Sequence, residues 1–317
     1  MTLPYFDATE VRASLPFNRA IAAIETALRT DTDPEIDGPR LFAPAPDGEF
    51  LLMPAVGDGY SGLKVATIAP LNPAKGEEKI QGVYLLFNSS NLSPIAAMDG
   101  AELTAIRTPA ATLTAVKNIA EAPGETEFTK TPKVLVFGAG IQAVNHIRAA
   151  KAVFPDGTFS VVGRRVERIA ALIEQLAAEG IAVTRGSHDD IGQADVILCV
   201  TSSPTPLFDG SLPADHAIIA SVGQHGLDAR EVDETLVKRS QVIVEGRASS
   251  WRESGDLIPA RSVEEWKEIN PPNLKDLVDG KFKRVAGKPS LYTGVGMAWE
   301  DLVSAVVVYE DHRSRNA

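Results

Sequence analysis

The segment Gly138-Ala139-Gly140-Ile141-Gln142-Ala143 follows directly on the apolar run Lys133-Val-Leu-Val-Phe137, and further on the chain reads Val162-Gly163-Arg164-Arg165. A strand that ends in small residues and passes straight into a helix brings backbone N–H groups and a helix N-terminus against an anion such as a pyrophosphate. A dinucleotide fold usually has an acid near the ribose to accept hydrogen bonds from its 2′-hydroxyl. Here the arginines Arg164 and Arg165 stand there instead, and a guanidinium matches a 2′-phosphate in charge and fork geometry. The pattern predicts a nicotinamide dinucleotide site, with NADP(H) preferred and NAD(H) as the alternative. Glycine turns are common everywhere, so specificity comes from context: a buried-type strand before the glycines, and after them a stretch from Gln142 to Val153 that can continue as helix. The competing reading of Arg164 and Arg165 is plain solvated charge at the opening of a helix.

These residues need a frame. From residue 133 onward, short apolar runs alternate with helical periodicity, the signature of a doubly wound parallel sheet. The expected strands are 133–137, 158–162, 181–184, 196–200, 217–222 and 241–245. Between the second and third, Val166, Ile169, Leu172, Ile173 and Leu176 recur at helical spacing, with Gly180 as the stop. The first 118 residues read differently, with a short amphipathic helix (Ile21, Ile24, Leu28) followed by Pro- and Gly-punctuated strand-like pieces such as Gln81 to Phe87. The polar stretch Glu121 to Thr131 is the expected boundary. At the far end, Gly296-Met-Ala-Trp-Glu-Asp301 opens an apolar helix with no strand after it, which is expected to return to the N-terminal lobe. The fold class is therefore α/β: a Rossmann dinucleotide-binding domain (121–293) plus an α+β domain (1–120 and 294–317). No internal repeat or low-complexity tract interrupts this plan.

Composition narrows the partners. With 317 residues, 44% of them hydrophobic, the chain can bury the cores of two domains. A net charge of -11 argues against nucleic acid and anionic membrane, both of which want a basic face. The single cysteine, Cys199, sits in the apolar run Asp195-Val-Ile-Leu-Cys-Val-Thr201 and reads as a core strand residue. No run reaches the roughly 18 apolar residues of a membrane span, and the acids Asp7 and Glu10 precede any apolar stretch, so a cytoplasmic location is expected. The five histidines lack metal-ligand spacing, and no metal site is expected.

Several further segments carry a resemblance. Gly62-Leu-Lys64-Val, Val83-Tyr-Leu-Leu-Phe87, Ala97-Met-Asp99-Gly100, Leu103-Thr-Ala-Ile-Arg107-Thr108, the Gly138–Ala143 loop, Ala229-Arg-Glu231-Val-Asp233, Glu253-Ser-Gly-Asp256 and Gly294-Val-Gly296-Met-Ala-Trp-Glu-Asp301 occur in this order along nearly the whole chain. Together they resemble the ornithine cyclodeaminase and mu-crystallin family. The resemblance implies hydride transfer with a nicotinamide cofactor at the α-carbon of an amino or imino acid, and a homodimer formed through the N-terminal domain.

It also implies residue roles. Arg40 would clamp the substrate carboxylate, and Lys64 would stand beside the substrate to hold that carboxylate or to move a proton. Gln81 would face the same pocket. Arg107 and Thr108 would reach the cofactor phosphates, the alternative for Arg107 being an ion pair with a neighbouring acid such as Glu102. Thr201, Val222 and Gly223 would touch the cofactor just beyond strand ends. Phe42, Leu52, Met53 and Tyr60 are candidate pocket walls. One position departs from the family: where ornithine cyclodeaminase has an aspartate proton carrier, this chain has His225, whose imidazole ordinarily titrates near pH 6.5. That departure weakens cyclodeamination and leaves imine reduction. The expected function is NADPH-dependent reduction of an α-imino acid to an amino acid, with Arg40, Lys64 and His225 as the working residues. Ornithine cyclodeamination, alanine-type dehydrogenation and mu-crystallin-like ligand carriage are the alternatives.

Overall fold

The computed structural model describes residues 3–30, 32–124, 128–224 and 226–315. The chain forms two compact units, Met1–Thr108 together with Met297–Ala317, and Pro109–Gly296.

The first unit begins with β1 (Tyr5–Phe6), α1 (Ala8–Ser14) and α2 (Phe17–Arg29), followed by β2 (Leu41–Ala45), β3 (Gly48–Val56), β4 (Tyr60–Ile68), β5 (Ile80–Asn88) and β6 (Pro94–Asp99), and then α3 (Gly100–Glu121). In α2 the residues Ala20, Ile21, Ile24 and Leu28 recur at helical spacing and are buried, which is the amphipathic stripe read from the sequence. Its sheet has the order β1-β6-β5-β4-β3-β2, an antiparallel meander closed at one edge by β1, which runs parallel to β6. Because side chains alternate across a strand, the register sorts them into rows. Met53, Lys64, Tyr84 and Met98 face one another in one buried row. The opposite face carries Leu52 with Val65 and Val83, and Pro54 with Leu63 and Leu85, all at least partly exposed.

Helix α3 runs across the division between the units. Pro109 sits inside it, at the first residue of the second unit. Proline has no N–H to give to the carbonyl four residues back, so the helical ladder is interrupted there. The domain change expected near residue 121 from composition thus lies at the end of this helix, whereas the compact units divide within it.

The second unit contains β7 (Lys133–Phe137), α4 (Ile141–Val153), β8 (Thr158–Val162), α5 (Val166–Ala178), β9 (Val183–Arg185), β10 (Val196–Cys199), β11 (Ile218–Ser221), α6 (Glu234–Arg239), β12 (Gln241–Val244), α7 (Arg247–Glu253), α8 (Val263–Ile269), α9 (Leu274–Val278) and β13 (Ser290–Thr293). All seven strands are parallel, in the order β12-β13-β11-β10-β7-β8-β9. The six expected strands are present with ends shifted by a residue or two. The seventh, β13, was not anticipated and is inserted between β11 and β12. From β7 the chain steps outward through β8 and β9, then returns to place β10 on the other side of β7. That reversal is the point at which open α/β sheets bind ligands, outside the carboxyl ends of the strands. Cys199 is fully buried in this core, and burial, with Glu231 and Asp256 nearby, pushes its thiol well above the ordinary range.

The chain ends in α10 (Ala298–Arg315), in the first unit. It packs on α1, α2 and the buried face of β3, β4 and β5, with Ala298, Leu302, Ala305 and Val308 turned inward. Among the described residues no helix is long and apolar enough to cross a membrane.

Candidate active site

In the first unit, the register of β4 turns Lys64 onto the face covered by α10, where an ammonium is expensive unless it is paired. The partner is Asp301, in the first turn of that helix. Lys64 Nζ donates to Asp301 Oδ2 at 2.6 Å, and both side chains are almost wholly buried. The other oxygen of Asp301 accepts from Arg107 Nε at 3.1 Å, and Arg107 donates from Nη1 to Glu300 Oε2 at 2.9 Å. Cations and acids therefore alternate, Lys64 to Asp301 to Arg107 to Glu300. Two acids at a helix start are favoured by the helix dipole. The start itself is held by Asp37, whose carboxylate accepts from the backbone N–H groups of Ala298 (3.1 Å) and Trp299 (3.2 Å).

This environment retunes the lysine. Burial pushes Lys64 down to about 8 from an ordinary 10.5; Asp301 opposes the shift, while the positive charges of Arg107 and Arg40 add to it. Arg40 is thus within electrostatic reach of Lys64 from its place just before β2. Asp301 behaves in the complementary way: burial would raise it, yet Arg107 and Lys64 hold it below the usual carboxylate range. A lysine near 8 can both give and accept a proton close to neutral pH.

Beside this pair, Tyr84 is fully buried in the same row as Lys64, and among the described residues its hydroxyl has no hydrogen-bond partner. Gly62 makes room for it, since a Cβ there would lie 1.9 Å from the phenol oxygen. Burial first, and then the charge of Asp301, keep the phenol protonated well above its ordinary range.

The other expected residues of this unit fall in different places. Arg107 is locked into the buried acids of α10, while Glu102 is taken by Arg12 at 2.8 Å. Thr108 is half-buried on α3. Gln81 is exposed and pairs in register with Thr67, on the face of the sheet opposite Lys64, so the fold does not bring the two side chains together. Of the proposed walls, Met53 shares the row of Lys64, Leu52 points to the other face, Phe42 is exposed on edge strand β2, and Tyr60 donates its hydroxyl to Glu310. Asp301 and Glu300 were not assigned a role from sequence. Their only signal was two consecutive acids in the opening turn of a helix whose middle, Leu302 to Val308, is mostly apolar.

In the second unit the glycine loop sits between β7 and α4, at the carboxyl edge of the sheet and at its reversal point. Gly138 has φ +128, and a Cβ on it would come 2.8 Å from the carbonyl oxygen of Val200. A side chain is excluded twice over, by conformation and by space. Gly140 is the N-cap of α4, no side chain caps the helix, and nothing lies within 4 Å of where its Cβ would be. Ala139 is half-buried, Ile141 is exposed, and Ala143 is buried where the helix meets the sheet. Gln142 carries a buried side-chain oxygen with no partner among the described residues. An open cradle beneath uncapped backbone N–H groups fits a pyrophosphate.

Arg164 and Arg165 are exposed just beyond β8, and among the described residues neither forms an ion pair. Thr201 and Gly223 each lie two residues past the ends of β10 and β11, with Val222 between strand and glycine. His225 lies outside the described residues. Among those described, no group of three or more His, Cys, Asp or Glu side chains is arranged to hold a metal ion.

Comparison with known proteins supports a common origin. The chain is 29% identical to the Delta(1)-pyrroline-2-carboxylate/Delta(1)-piperideine-2-carboxylate reductase of Azospirillum brasilense over 99% of this chain and 98% of that protein. It is 30% identical to Delta(1)-pyrroline-2-carboxylate reductase 1 of Burkholderia multivorans over 95% of this chain and 93% of that protein. The structure of the Thermococcus litoralis Delta(1)-pyrroline-2-carboxylate reductase in complex with NADH and L-proline superimposes with a TM-score of 0.84 at 24% identity, covering 99% of each chain, which is a likeness of fold. Residues 6–316 match the ornithine cyclodeaminase/mu-crystallin family, and the chain belongs to it.

Proposed function

We propose that this protein is an imine reductase, converting an α-imino acid to the corresponding amino acid with a reduced nicotinamide dinucleotide. The observation that carries the reading is the buried Lys64–Asp301 pair, with the lysine brought to about 8, in a chain whose relatives of matching length are named as pyrroline-2-carboxylate reductases. Five- and six-membered cyclic imino acids are the first substrates to try.

Reduction of C=N requires a hydride at carbon and a proton at nitrogen. When bound, the reduced dinucleotide supplies the hydride and leaves oxidised. The second unit holds it: Gly138 and Gly140 with the start of α4 take the pyrophosphate, and Thr201, Val222 and Gly223 take the part beyond β10 and β11. Arg164 and Arg165 favour the 2′-phosphorylated form, because two exposed guanidiniums without acidic partners match a phosphate. The first unit handles the substrate. Arg40 engages the carboxylate through its guanidinium fork, and Lys64 donates the proton to nitrogen while Asp301 keeps it ionised enough to do so. Asp301 is in turn held by Arg107, which gives that arginine a positioning role besides the phosphate role its family match implies.

A homodimer is part of the proposal. The sheet face opposite Lys64 is a row of partly exposed Leu52, Leu63, Val65, Val83 and Leu85, and an apolar face of this kind is what a second copy buries.

The test is oxidation of NADPH and NADH by the purified protein with pyrroline-2-carboxylate, piperideine-2-carboxylate, and pyruvate or glyoxylate with ammonia or methylamine. The reading expects turnover with at least one imino acid and a preference for NADPH. Silence across the panel by protein that binds the dinucleotide overturns it in favour of oxidative chemistry on an untested amino acid or of ligand carriage.

A further inference from the structure

We propose that Glu231 is a positioning residue for the nicotinamide half of the dinucleotide, acting by clamping together the two loops that leave β10 and β11; this rests on the dinucleotide site described under the proposed function.

Glu231 lies between β11 and α6 and is fully buried. Its Oε1 accepts from the backbone N–H of Thr201 at 2.6 Å and from the Thr201 hydroxyl at 2.7 Å. Its Oε2 accepts from the backbone N–H of Gly223 at 2.7 Å and lies 3.3 Å from Ser221 Oγ. One carboxylate therefore ties together the second residues beyond two adjacent strands. Its own backbone is pinned in turn: Asp256 Oδ1 accepts from the N–H groups of Glu231 (2.7 Å) and Val232 (3.1 Å), and Asp256 Oδ2 from Ser221 Oγ (2.7 Å). The two exits press closely around the acid. A Cβ on Gly223 would fall 2.3 Å from the carbonyl oxygen of Thr201 and 2.7 Å from Glu231 Oε1, so only glycine fits.

Among the described residues, every hydrogen-bond partner of this carboxylate is a neutral N–H or O–H group. Burial pushes Glu231 up to about 7, against the pull of its Thr201 and Gly223 hydrogen bonds. A buried acid held by no cation among the described residues is a poor device for stability alone, and such groups gather where geometry matters to function. The sheet order says which geometry. With the pyrophosphate at Gly138 and Gly140 above β7, and the ribose phosphate end towards the arginines beyond β8, the remaining half of the dinucleotide extends the other way, over the exits of β10 and β11. Those are the exits that Glu231 holds.

Glu231→Gln is the discriminating substitution. The amide oxygen still serves Thr201, but the amide NH2 meets the Gly223 N–H donor to donor, so one arm of the clamp opens. The probes are NADH and NADPH, titrated by fluorescence, and the nicotinamide-free fragments ADP-ribose and its 2′-phosphate, titrated by calorimetry. The inference expects the better dinucleotide to bind at least tenfold more weakly to E231Q while its fragment stays within twofold of wild type. Ser221→Ala, which removes the hydroxyl between Glu231 and Asp256 and touches no residue placed on the dinucleotide, should weaken the dinucleotide in the same direction by a smaller factor, and this variant decides the matter if E231Q does not fold. Equal weakening of dinucleotide and fragment in the variants means general loosening and overturns the inference, as does unchanged binding of both. None of these titrations needs an imino acid. Wild type that binds dinucleotide but reduces no imine therefore defeats the reductase reading alone, whereas wild type that binds no dinucleotide defeats both.

Discussion

Replacing Asp301 by asparagine keeps the side chain's shape but removes the charge that faces Lys64 Nζ at 2.6 Å and Arg107 Nε at 3.1 Å. Lys64 stands at about 8 in the fold against an ordinary 10.5, so at about 1.4 kcal/mol per unit its surroundings, burial net of the pairing with Asp301, cost the wild type about 3 kcal/mol below pH 8. A lysine depressed in the folded state destabilises most at low pH, and the cost fades as pH rises from its folded towards its unfolded pKa, because the unfolded chain binds more protons in that window. Without Asp301 the folded value falls further. At pH 9 the lysine is mostly neutral in both proteins, and its share of the difference vanishes. At pH 6 the variant can escape an unpaired ammonium only by holding a neutral amine, which costs about 6 kcal/mol relative to the unfolded chain, about 3 more than wild type. Asp301 itself stays ionised across this range, since its pKa is lowered. The loss of one Arg107 hydrogen bond adds about 1–3 kcal/mol that does not vary with pH. Urea unfolding of wild type and D301N at pH 6, 7, 8 and 9 should therefore show a destabilisation about 2–3 kcal/mol larger at pH 6 than at pH 9. An equal effect at both ends, or a larger one at pH 9, refutes the reasoning.

Three further outcomes are expected. Arg40→Ala should raise KM for the imino acid about tenfold or more with a small change in kcat, as loss of a charge-assisted carboxylate contact does; an unchanged KM removes Arg40 from the site. The double variant Arg164→Glu with Arg165→Glu should weaken NADPH far more than NADH in fluorescence titration, and equal losses contradict a 2′-phosphate role. Gly62→Ala puts a methyl 1.9 Å from the Tyr84 hydroxyl oxygen. It should cost about 2 kcal/mol or more in unfolding free energy, and a fully stable G62A would show that the tyrosine is not confined as described.

The parallel sheet was readable because it is built locally. Runs such as Lys133-Val-Leu-Val-Phe137 are buried on both faces and alternate with amphipathic helices, so type and order follow from periodicity. β13 escaped because Ser290-Leu-Tyr-Thr293 is short and half polar, and its burial comes from being inserted between β11 and β12. The glycine loop was readable for the same local reason, since strand, turn and helix are contiguous. The buried Lys64–Asp301 pair was not. Lys64 and Asp301 are 237 positions apart, and only the return of α10 to the first unit brings them to 2.6 Å. Lys64 could be named from the family resemblance, but its pKa near neutrality depends on that distant acid. Gln81 illustrates the complementary problem. Which face it takes depends on the pairing of β5 with β4, in which it lies opposite Thr67 and not in the row of Lys64.

Hydride transfer to the imine carbon is the central claim, and an isotope reads it directly. Purified protein is incubated with pyrroline-2-carboxylate and a reduced dinucleotide dideuterated at nicotinamide C4, and the product is analysed by mass spectrometry. The account predicts proline carrying one deuterium at Cα, formed in step with dinucleotide oxidation. Proline without deuterium, or oxidation of the dinucleotide with no proline formed, contradicts it.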